Sequence, residues 1–224
     1  VDSSVGGKVA VNLPEGKNLI GVFAQPRLVL CDTEALRTLS PRELGAGLGE
    51  VVKYGCIFDS DLFALLERTK GRAALSEKMP EIVRRCCTIK ADYVGRDPFD
   101  HGARKELNFG HTLGHALEQA LGYGVLLHGE AVCIGMMHAA KWGEHLGVTP
   151  TGFADRLEAL LRALGLPFAL PQTANMDAVA EAMLVDKKGR GDTVDLVLLQ
   201  EMGAACLYPV SKTELSAILA GGTA

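Results

Sequence analysis

The chain has 224 residues, about the size of one large domain or two small ones, and its 48% hydrophobic content is enough to form a buried core. The net charge of -4 and the isoelectric point near 5.9 argue against a nucleic-acid-binding domain, which usually carries a dense basic face. The sequence has no run of roughly 18 apolar residues and does not open with a charged segment followed by an apolar one, so we expect no membrane partner and no targeting signal.

The first 32 residues are expected to form short extended pieces and loops. KVAVN predicts a strand, NLPEGKN a turn, and PRLVLCD a further extended piece rich in β-forming residues. The sequence opens at Val1 with VDSSVGGKVAVNLPEGKN, which is typical of the middle of a protein, so we expect an N-terminal portion that precedes it. The Gly6-Gly7-Lys8 turn is too short for a dinucleotide-binding fingerprint, and no GxGxxG lies between a predicted strand and a predicted helix.

Helices are predicted over most of the remaining chain. Ser40 as the N-cap, Pro41 at the first helical position and Glu43 closing a capping box predict a helix from Pro41 to about Cys56. Apolar residues recur at helical spacing in DLFALLERT, PEIVRRCCTIKADYV, ARKELNFGHTLGHALEQALG, GEAVCIGMMHAAKWGEHLG, GFADRLEALLRALG and MDAVAEAML. TVDLVLL and AACLY predict a small hairpin, and SKTELSAILA predicts a closing helix. The predicted fold class is mainly α, with a short extended lead-in segment and a small hairpin.

The cysteines favour a reducing compartment, and we expect a cytoplasmic protein. They include no CxxC pair, and five of them lie in apolar or helical contexts, where free thiols behave as small hydrophobes. The six are Cys31, Cys56, Cys86, Cys87, Cys133 and Cys206.

Three histidines and one glutamate are the candidate metal ligands. His111 and His115 lie one helical turn apart and share a face, but this spacing alone is more often that of a hydrogen-bonded pair than of a metal site. His128 begins the next long helix, and Glu50 lies in the apolar stretch GLGEVVKYG. Two histidines and one carboxylate would leave coordination positions open, as in catalytic zinc sites.

Glu50 has a simpler interpretation, an ion pair with Lys53 three residues later on a solvated helix. The segment is apolar nearly all round, which instead predicts burial, and a buried carboxylate requires a partner. The apolar neighbours are Leu48, Val51, Val52 and Tyr54.

Basic residues stand at unusual positions and would form an anion site if they converge. Arginine can bind a carboxylate or phosphate through two parallel hydrogen bonds, whereas lysine acts as a point charge. The alternative is that each is a solvated surface charge, which we favour for Lys188 and Arg190. The candidates are Lys8 after two glycines, Lys90 in an apolar helix, Arg104 before Asn108, and Lys187 with Lys188 before a glycine turn.

Four motifs in order carry a family resemblance: VDSSVGGKVAVNLPEGKNLIGVFAQP, LSPRELGAGLGEVVKYG, LNFGHTLGHALE and LHGEAV. Together they resemble the 3-dehydroquinate synthase family, whose members place a nucleotide-binding α/β domain before a helical domain. The resemblance implies that residues 1–32 are a lead-in segment from that N-terminal domain. It implies that residues 33–224 form the helical metal- and substrate-binding domain.

The resemblance also implies residue roles. Glu50, His111 and His128 would hold Zn²⁺ or Co²⁺, while His115 would contact substrate phosphate and take part in proton transfer. Lys53 and Asp100 would join His115 in catalysis, Asp100 standing where the family has a glutamate. Lys8 and Asn18 would also contact NAD⁺. The implied substrate-binding residues are Asp2, Lys8, Asn18, Lys90, Arg104, Asn108 and one lysine of the pair Lys187 and Lys188.

The implied reaction converts 3-deoxy-D-arabino-heptulosonate 7-phosphate to 3-dehydroquinate and phosphate, in a full-length protein that is a homodimer. Another sugar-phosphate cyclase remains an alternative, but enzymes whose substrates lack a carboxylate should not keep both Arg104 and Asn108. A metal-dependent polyol dehydrogenase would not need the lysines of GGK and DKK. A noncatalytic helical module would bind zinc poorly.

Overall fold

The computed structural model describes residues 1–13, 16–69, 71–185 and 192–220. Within these ranges the prediction of a mainly helical protein is confirmed. The helices are α1 (Pro41–Ile57), α2 (Ser60–Arg68), α3 (Met79–Arg96), α4 (His111–Leu121), α5 (His128–His145), α6 (Phe153–Ala163), α7 (Met176–Val185) and α8 (Lys212–Ala220). The strands are β1 (Lys8–Leu13), β2 (Gly16–Phe23), β3 (Thr193–Glu201) and β4 (Ala204–Ser211), and the 3-10 helices are Thr33–Thr38, Ala73–Lys78 and Ala103–Asn108.

Helix α1 begins as its sequence predicts. The Ser40 side chain accepts from the backbone N–H of Glu43, and the Glu43 carboxylate accepts from the N–H of Ser40, which completes the capping box. The helix runs one residue beyond the predicted Cys56, to Ile57. Its second half is buried, so the segment carrying Glu50 faces the protein interior.

Helix α5 lies at the centre of the core and packs against α1, α4, α6 and β3. Gly129 sets how closely it approaches α1, because a Cβ atom there would lie 1.8 Å from the carbonyl oxygen of Ala46. Only glycine permits this approach, which brings the first turn of α5 against the middle of α1. His128 and Glu50 therefore lie close together.

The predicted continuous helix over ARKELNFGHTLGHALEQALG is wrong. A 3-10 helix ends at Asn108, and α4 begins at His111 after a break. Gly110 has φ 78, in the left-handed region, and a Cβ atom there would lie 2.6 Å from Cγ of Met136. The break follows from this close contact with α5, and it starts a new helix at the first histidine of the motif.

The two hairpins differ in their surroundings. β3 and β4 pair antiparallel as predicted, and Val194, Leu196 and Leu198 of β3 are buried in the core. β1 and β2 also pair antiparallel, with Lys8 opposite Phe23, but several of their apolar side chains face solvent. The exposed ones are Val9, Val11, Ile20, Val22 and Phe23.

The predicted extended piece PRLVLCD does not form a strand. Residues 24–32 contain no helix or strand, and Leu28 and Leu30 are 82% and 87% exposed. β-Propensity alone does not make a strand, and among the described residues this segment pairs with neither edge of the two-stranded β1–β2 sheet. Across the ranges that the structure covers, no helix combines the length and apolarity that crossing a bilayer requires.

Candidate active site

One cleft of about 370 Å³ collects the predicted site residues. Its walls come from the N-terminal loop, α1, α3, the segment before α4, and the first turns of α4 and α5. The Asn18 side chain, Lys187 and Lys188 lie outside the residues that the structure describes. The predicted residues that line the cleft are Asp2, Lys8, Glu50, Lys53, Lys90, Asp100, Arg104, Asn108, His111, His115 and His128.

Glu50 and the histidines meet at the floor of the cleft. Oε1 of Glu50 lies 3.5 Å from Nε2 of His111 and 3.2 Å from Nε2 of His128. One ring nitrogen each of His111, His115 and His128 lies within 4.8 Å of the others. The structure therefore gathers the predicted set of Glu50, His111 and His128, and it adds His115 as a neighbouring imidazole.

The imidazoles of His111 and His128 are both held through their second nitrogen. Nδ1 of His111 lies 3.1 Å from the carbonyl oxygen of Phe109, and Nδ1 of His128 lies 3.2 Å from Oε2 of Glu118. A carbonyl and a carboxylate can only accept, so each Nδ1 carries the hydrogen and Nε2 keeps a lone pair when the ring is neutral. Histidines that bind metals are usually oriented in this way.

The ion pair that we considered as the simpler role of Glu50 is also present. Nζ of Lys53 lies 2.6 Å from Oε2 of Glu50, and both side chains are nearly buried. Because Lys53 uses Oε2, the other carboxylate oxygen remains directed at the histidines. The ion pair and the histidine contacts therefore occur together.

The charges of these groups depend on one another. Burial favours the neutral form of Glu50, but Lys53, His111 and His128 outweigh it and hold the pKa of the carboxyl well below its usual range. Burial and the Lys53 ammonium lower the pKa of His111 well below its ordinary value. Burial also opposes protonation of His128, but hydrogen bonds to Glu118 and Glu50 raise its pKa to about 9. The cluster thus keeps Glu50 ionised and His111 neutral.

The spacing of these donors fits a tetrahedral metal ion. Ligand atoms at about 2.0–2.1 Å from zinc in a tetrahedron lie about 3.3 Å from one another. The separations between Glu50 and the two Nε2 atoms are 3.2 Å and 3.5 Å. Imidazole and carboxylate are also ligands that zinc and cobalt accept. Glu50, His111 and His128 could therefore hold such an ion with little movement.

The cationic wall of the cleft, which we define as Lys8, Lys90 and Arg104, is held by contacts within the protein. Nζ of Lys90 donates to the carbonyl oxygen of Asp2 at 2.9 Å and pairs with its carboxylate at 3.3 Å. The hydroxyl of Tyr54 donates to the other carboxylate oxygen of Asp2. The N-terminal loop is therefore fastened to α1 and α3 beside the histidines.

Arg104 is 3% exposed and donates to the carbonyl oxygens of Pro98 and Gly6, both at 3.1 Å. A guanidinium has five donors, so these two bonds leave others for a ligand in the cleft. Gly6 has φ 107, and a Cβ atom there would lie 2.3 Å from Nη2 of Arg104. The first glycine of GGK is thus required for the contact with Arg104.

Asp100 has an unusual conformation. Its φ of 62 is in the left-handed region, which is uncommon outside glycine, although aspartate adopts it more readily than most residues. One carboxylate oxygen pairs with Lys8, while Oδ1 is buried without a hydrogen-bond partner among the described residues. Buried polar atoms normally have a partner, and strained backbone concentrates at functional sites.

Two carboxylates of the site were not predicted. Glu118 is 3% exposed and orients His128. The sequence feature that could have indicated it is its position seven residues after His111, on the same face of an apolar helix. Asp97 accepts from the backbone N–H groups of His101, Gly102 and Arg104 at 3.0, 2.7 and 3.1 Å. The sequence feature that could have indicated Asp97 is the Asp97-Pro98 pair, which favours a turn. These bonds hold the loop that presents Asp100 and Arg104.

Family profiles and curated relatives both match this chain along most of its length. The family profile described as 3-dehydroquinate synthase C-terminal matches residues 47–189, and the one described as 3-dehydroquinate synthase N-terminal matches residues 1–46. Proteins named 3-dehydroquinate synthase from Streptococcus pneumoniae strains ATCC 700669 / Spain 23F-1 and JJA are 44% identical over 216 residues. The match covers 96% of this chain, which spans 61% of the length of those relatives.

Solved structures of two related proteins are similar over 99% of the chain. One is a 2-epi-5-epi-valiolone synthase from Streptomyces hygroscopicus subsp. jinggangensis 5008 with NAD⁺ and Zn²⁺ bound, at 30% identity, a TM-score of 0.86 and 62% of that chain covered. The other is a 2-deoxy-scyllo-inosose synthase complexed with carbaglucose-6-phosphate, NAD⁺ and Co²⁺, at 28% identity, a TM-score of 0.83 and 63% of that chain covered.

Proposed function

The chain belongs to the 3-dehydroquinate synthase family, and we propose that it forms the metal- and substrate-binding part of an enzyme with that activity. The reaction would convert 3-deoxy-D-arabino-heptulosonate 7-phosphate to 3-dehydroquinate and phosphate. The observation that carries this proposal is the cleft in which Glu50, His111 and His128 lie within reach of one ion and which Lys90 and Arg104 also line.

We propose Glu50, His111 and His128 as the ligands of a divalent ion, Zn²⁺ or Co²⁺. Glu50 is preferred to His115 as the third ligand because its Oε1 lies within 3.5 Å of both other donors. The ring centroids of the three histidines lie 5.1–5.6 Å from one another, so the imidazoles alone do not separate His115 from the other two, and the preference rests on Glu50. When bound, such an ion supplies Lewis-acid polarisation of a substrate hydroxyl, and NAD⁺ supplies a reversible acceptor of hydride.

The substrate would be bound as a dianion or higher by the cationic wall. Lys90 and Arg104 are positioned by the N-terminal loop, and Asn108 adds an amide at the same wall. We assign the substrate carboxylate to Arg104, whose guanidinium can form two parallel hydrogen bonds. Asp2, Lys8 and Asn18, with Lys187 or Lys188, complete the proposed substrate set.

His115, Lys53 and Asp100 are proposed as the catalytic side chains. His115 stands at the rim of the histidine cluster and would contact the phosphate and move a proton to it as it leaves. Lys53 keeps Glu50 ionised and presents an ammonium to the cleft. Asp100 has a buried carboxylate oxygen that a substrate hydroxyl could satisfy.

The proposed contacts to NAD⁺ are Lys8 and Asn18. The Lys8 side chain is 50% exposed and lines the cleft next to β1. We propose that residues 1–32 lead in from a nucleotide-binding domain that supplies most of the cofactor site, with residues 33–224 as the helical domain. The exposed apolar side chains of β1 and β2 support this, because they offer such a domain a surface to pack against. A cytoplasmic homodimer completes the proposal.

Metal binding by the purified chain is the first test. Zinc titration should show one tight site per chain, and His128→Ala should abolish it while circular dichroism stays helical. Undiminished zinc in His128→Ala would reject the ligand assignment. Phosphate release from the heptulosonate phosphate, measured with NAD⁺ and zinc in a protein that includes the nucleotide-binding domain, tests the activity itself. Equal turnover of a substrate without the carboxylate would favour a different sugar-phosphate cyclase.

A further inference from the structure

A pair of cysteines lies where the segment 24–32, the first residue and α3 meet. Sγ of Cys31 is 4.0 Å from Sγ of Cys87, and the Cys87 thiol also lies 3.9 Å from the carbonyl oxygen of Val1. Cys31 is exposed and Cys87 is half-buried. Of the other four cysteines, Cys56, Cys86 and Cys133 are buried, and Cys206, half-buried like Cys87, lies on β4.

We propose that Cys31 and Cys87 form a reversible thiol–disulfide pair that peroxides oxidise, and that the disulfide fastens the segment 24–32 to α3. A disulfide bond is about 2 Å long, so the sulfur atoms must approach by about 2 Å. Cys31 lies in a segment without helix or strand, which can make this movement, while Cys87 is fixed on α3.

The order of the chemical steps follows from the two environments. Cys31 is exposed and Cys87 is half-buried, and burial together with the neighbouring Cys31 raises the pKa of Cys87 to about 11, so Cys31 is the thiol that attacks a peroxide first. Attack on hydrogen peroxide gives a sulfenic acid at Cys31 and one water. The Cys87 sulfur then attacks that sulfenic sulfur, and a second water leaves. In sum, two thiols and one peroxide give one disulfide and two waters, and a dithiol reductant reverses the bond.

The pair lies next to the proposed substrate cleft. Cys87 is three residues before Lys90 on α3, and Val1 precedes Asp2, which Lys90 contacts. The disulfide would therefore join the chain before α1 to the same turn of α3 that anchors the N-terminal loop. This inference does not depend on the proposed catalytic activity, because it concerns two thiols of the chain itself.

Peptide mapping of the purified chain tests the proposal. After hydrogen peroxide treatment and alkylation, two of the six thiols should be lost, and trypsin should release Leu28–Arg37 linked to Cys86–Lys90. The second peptide contains both Cys86 and Cys87, so the variants decide between them. Cys31→Ser and Cys87→Ser should abolish the linked peptide, whereas Cys86→Ser and Cys206→Ser should retain it. Dithiothreitol should restore all six thiols.

Hydrogen exchange tests the second part of the proposal. Amides of residues 28–32 should exchange more slowly in the oxidised chain than in the reduced one, and the Cys87→Ser chain should show no such difference. A linked peptide that persists in Cys87→Ser, six unchanged thiols, or only disulfides between chains would overturn the pairing. Unchanged exchange in a correctly linked chain would overturn the fastening of the segment.

Discussion

At the scale of single residues, the site depends on groups that orient other groups. Glu118 does not reach the proposed metal position, but it holds His128 with Nε2 toward Glu50. We expect Glu118→Gln to lower zinc affinity by about 10- to 100-fold, as loss of such a partner usually does. Competition with a chelator measures this. The matched control is Glu158→Gln, a partly exposed carboxylate paired with Arg162. Equal affinities for both variants would show that the Glu118 contact is dispensable.

Arg104 offers a test of substrate recognition. Arg104→Lys should weaken binding of the heptulosonate phosphate by about 1.5–3 kcal/mol, the worth of a hydrogen bond to a charged group. Lysine cannot form the two parallel bonds, and it also loses the contacts with Gly6 and Pro98. The Michaelis constant of a protein that turns over reports this change. Arg96→Lys, on the exposed face of α3, is the control. An unchanged Michaelis constant for Arg104→Lys would refute the assignment.

At the scale of helices, two glycines on neighbouring elements make a matched pair. Gly129→Ala would place a Cβ atom 1.8 Å from the Ala46 carbonyl oxygen and should force α5 away from α1. We expect a loss of about 1–3 kcal/mol in the free energy of unfolding, as in other overpacked cores, together with weaker zinc binding. A Cβ atom added at Gly47 on α1 would have no neighbouring atom within 4 Å, so Gly47→Ala should be neutral or stabilising by up to about 1 kcal/mol. Urea unfolding of both variants distinguishes these outcomes, and equal stabilities would contradict the packing argument.

Asp59 caps α2 and pairs with Arg85 on α3, and this contact should make the free energy of unfolding depend on pH. Its carboxylate caps α2 at Leu62 and accepts two bonds from Arg85, at 2.7 and 2.5 Å. Burial opposes ionisation, but the Arg85 bonds outweigh it and lower the pKa of Asp59. Because the folded pKa is the lower one, this stabilisation is present above the unfolded value of about 3.9 and is lost as pH falls through the folded value.

Asp59→Asn keeps the helix cap, since Asn caps as well as Asp, but it loses the charged pair with Arg85, so it should reduce the free energy of unfolding at pH 7 by about 0.5–1.5 kcal/mol. The difference from the parent chain should shrink as the pH falls from 5 to 3, and urea unfolding across that range would measure it. Asp61→Asn, in the first turn of the same helix, is the control. A difference that stays constant with pH would show that ionisation of Asp59 does not matter.

The helices show what local sequence can and cannot predict. The capping box fixed the start of α1 because Ser40, Pro41 and Glu43 act within one turn. The break before α4 could not be predicted, because the conformation of Gly110 follows from contact with Met136 on α5. The role of Glu118 likewise depends on how α4 meets α5. The extended piece PRLVLCD has the composition of a strand, yet a strand forms only where a partner strand is in reach.

At the scale of the whole molecule, the metal and substrate residues were predicted from motifs that resemble a family, and the fold brings the described ones to one cleft. Residue types and helical spacing alone left the histidine pair undecided. Distances between Glu50 and the two imidazoles come from packing of three helices, which no local pattern encodes. The exposure of the hairpin could not be predicted either, because the KVAVN pattern predicts a strand but does not indicate what the strand packs against.

The exposed hairpin and the cleft lead to a prediction for the chain on its own. Turnover requires the nicotinamide to be held against the bound substrate, and such orientation accounts for a large part of a hydride-transfer rate. The sequence contains no glycine-rich loop between a strand and a helix, and the only contacts to NAD⁺ that we propose among these residues are Lys8 and Asn18. We expect the 224-residue chain to fold, to bind zinc, to bind NAD⁺ only weakly and to release no phosphate.

Joining a nucleotide-binding domain before Val1 should restore turnover, because the tether gives the two parts a high effective concentration. The joined domain should also cover Val9, Val11 and Ile20, so proteases should cut the hairpin more slowly than in the 224-residue chain. Sustained phosphate release by the chain alone would place the cofactor site within these residues and refute this division of roles.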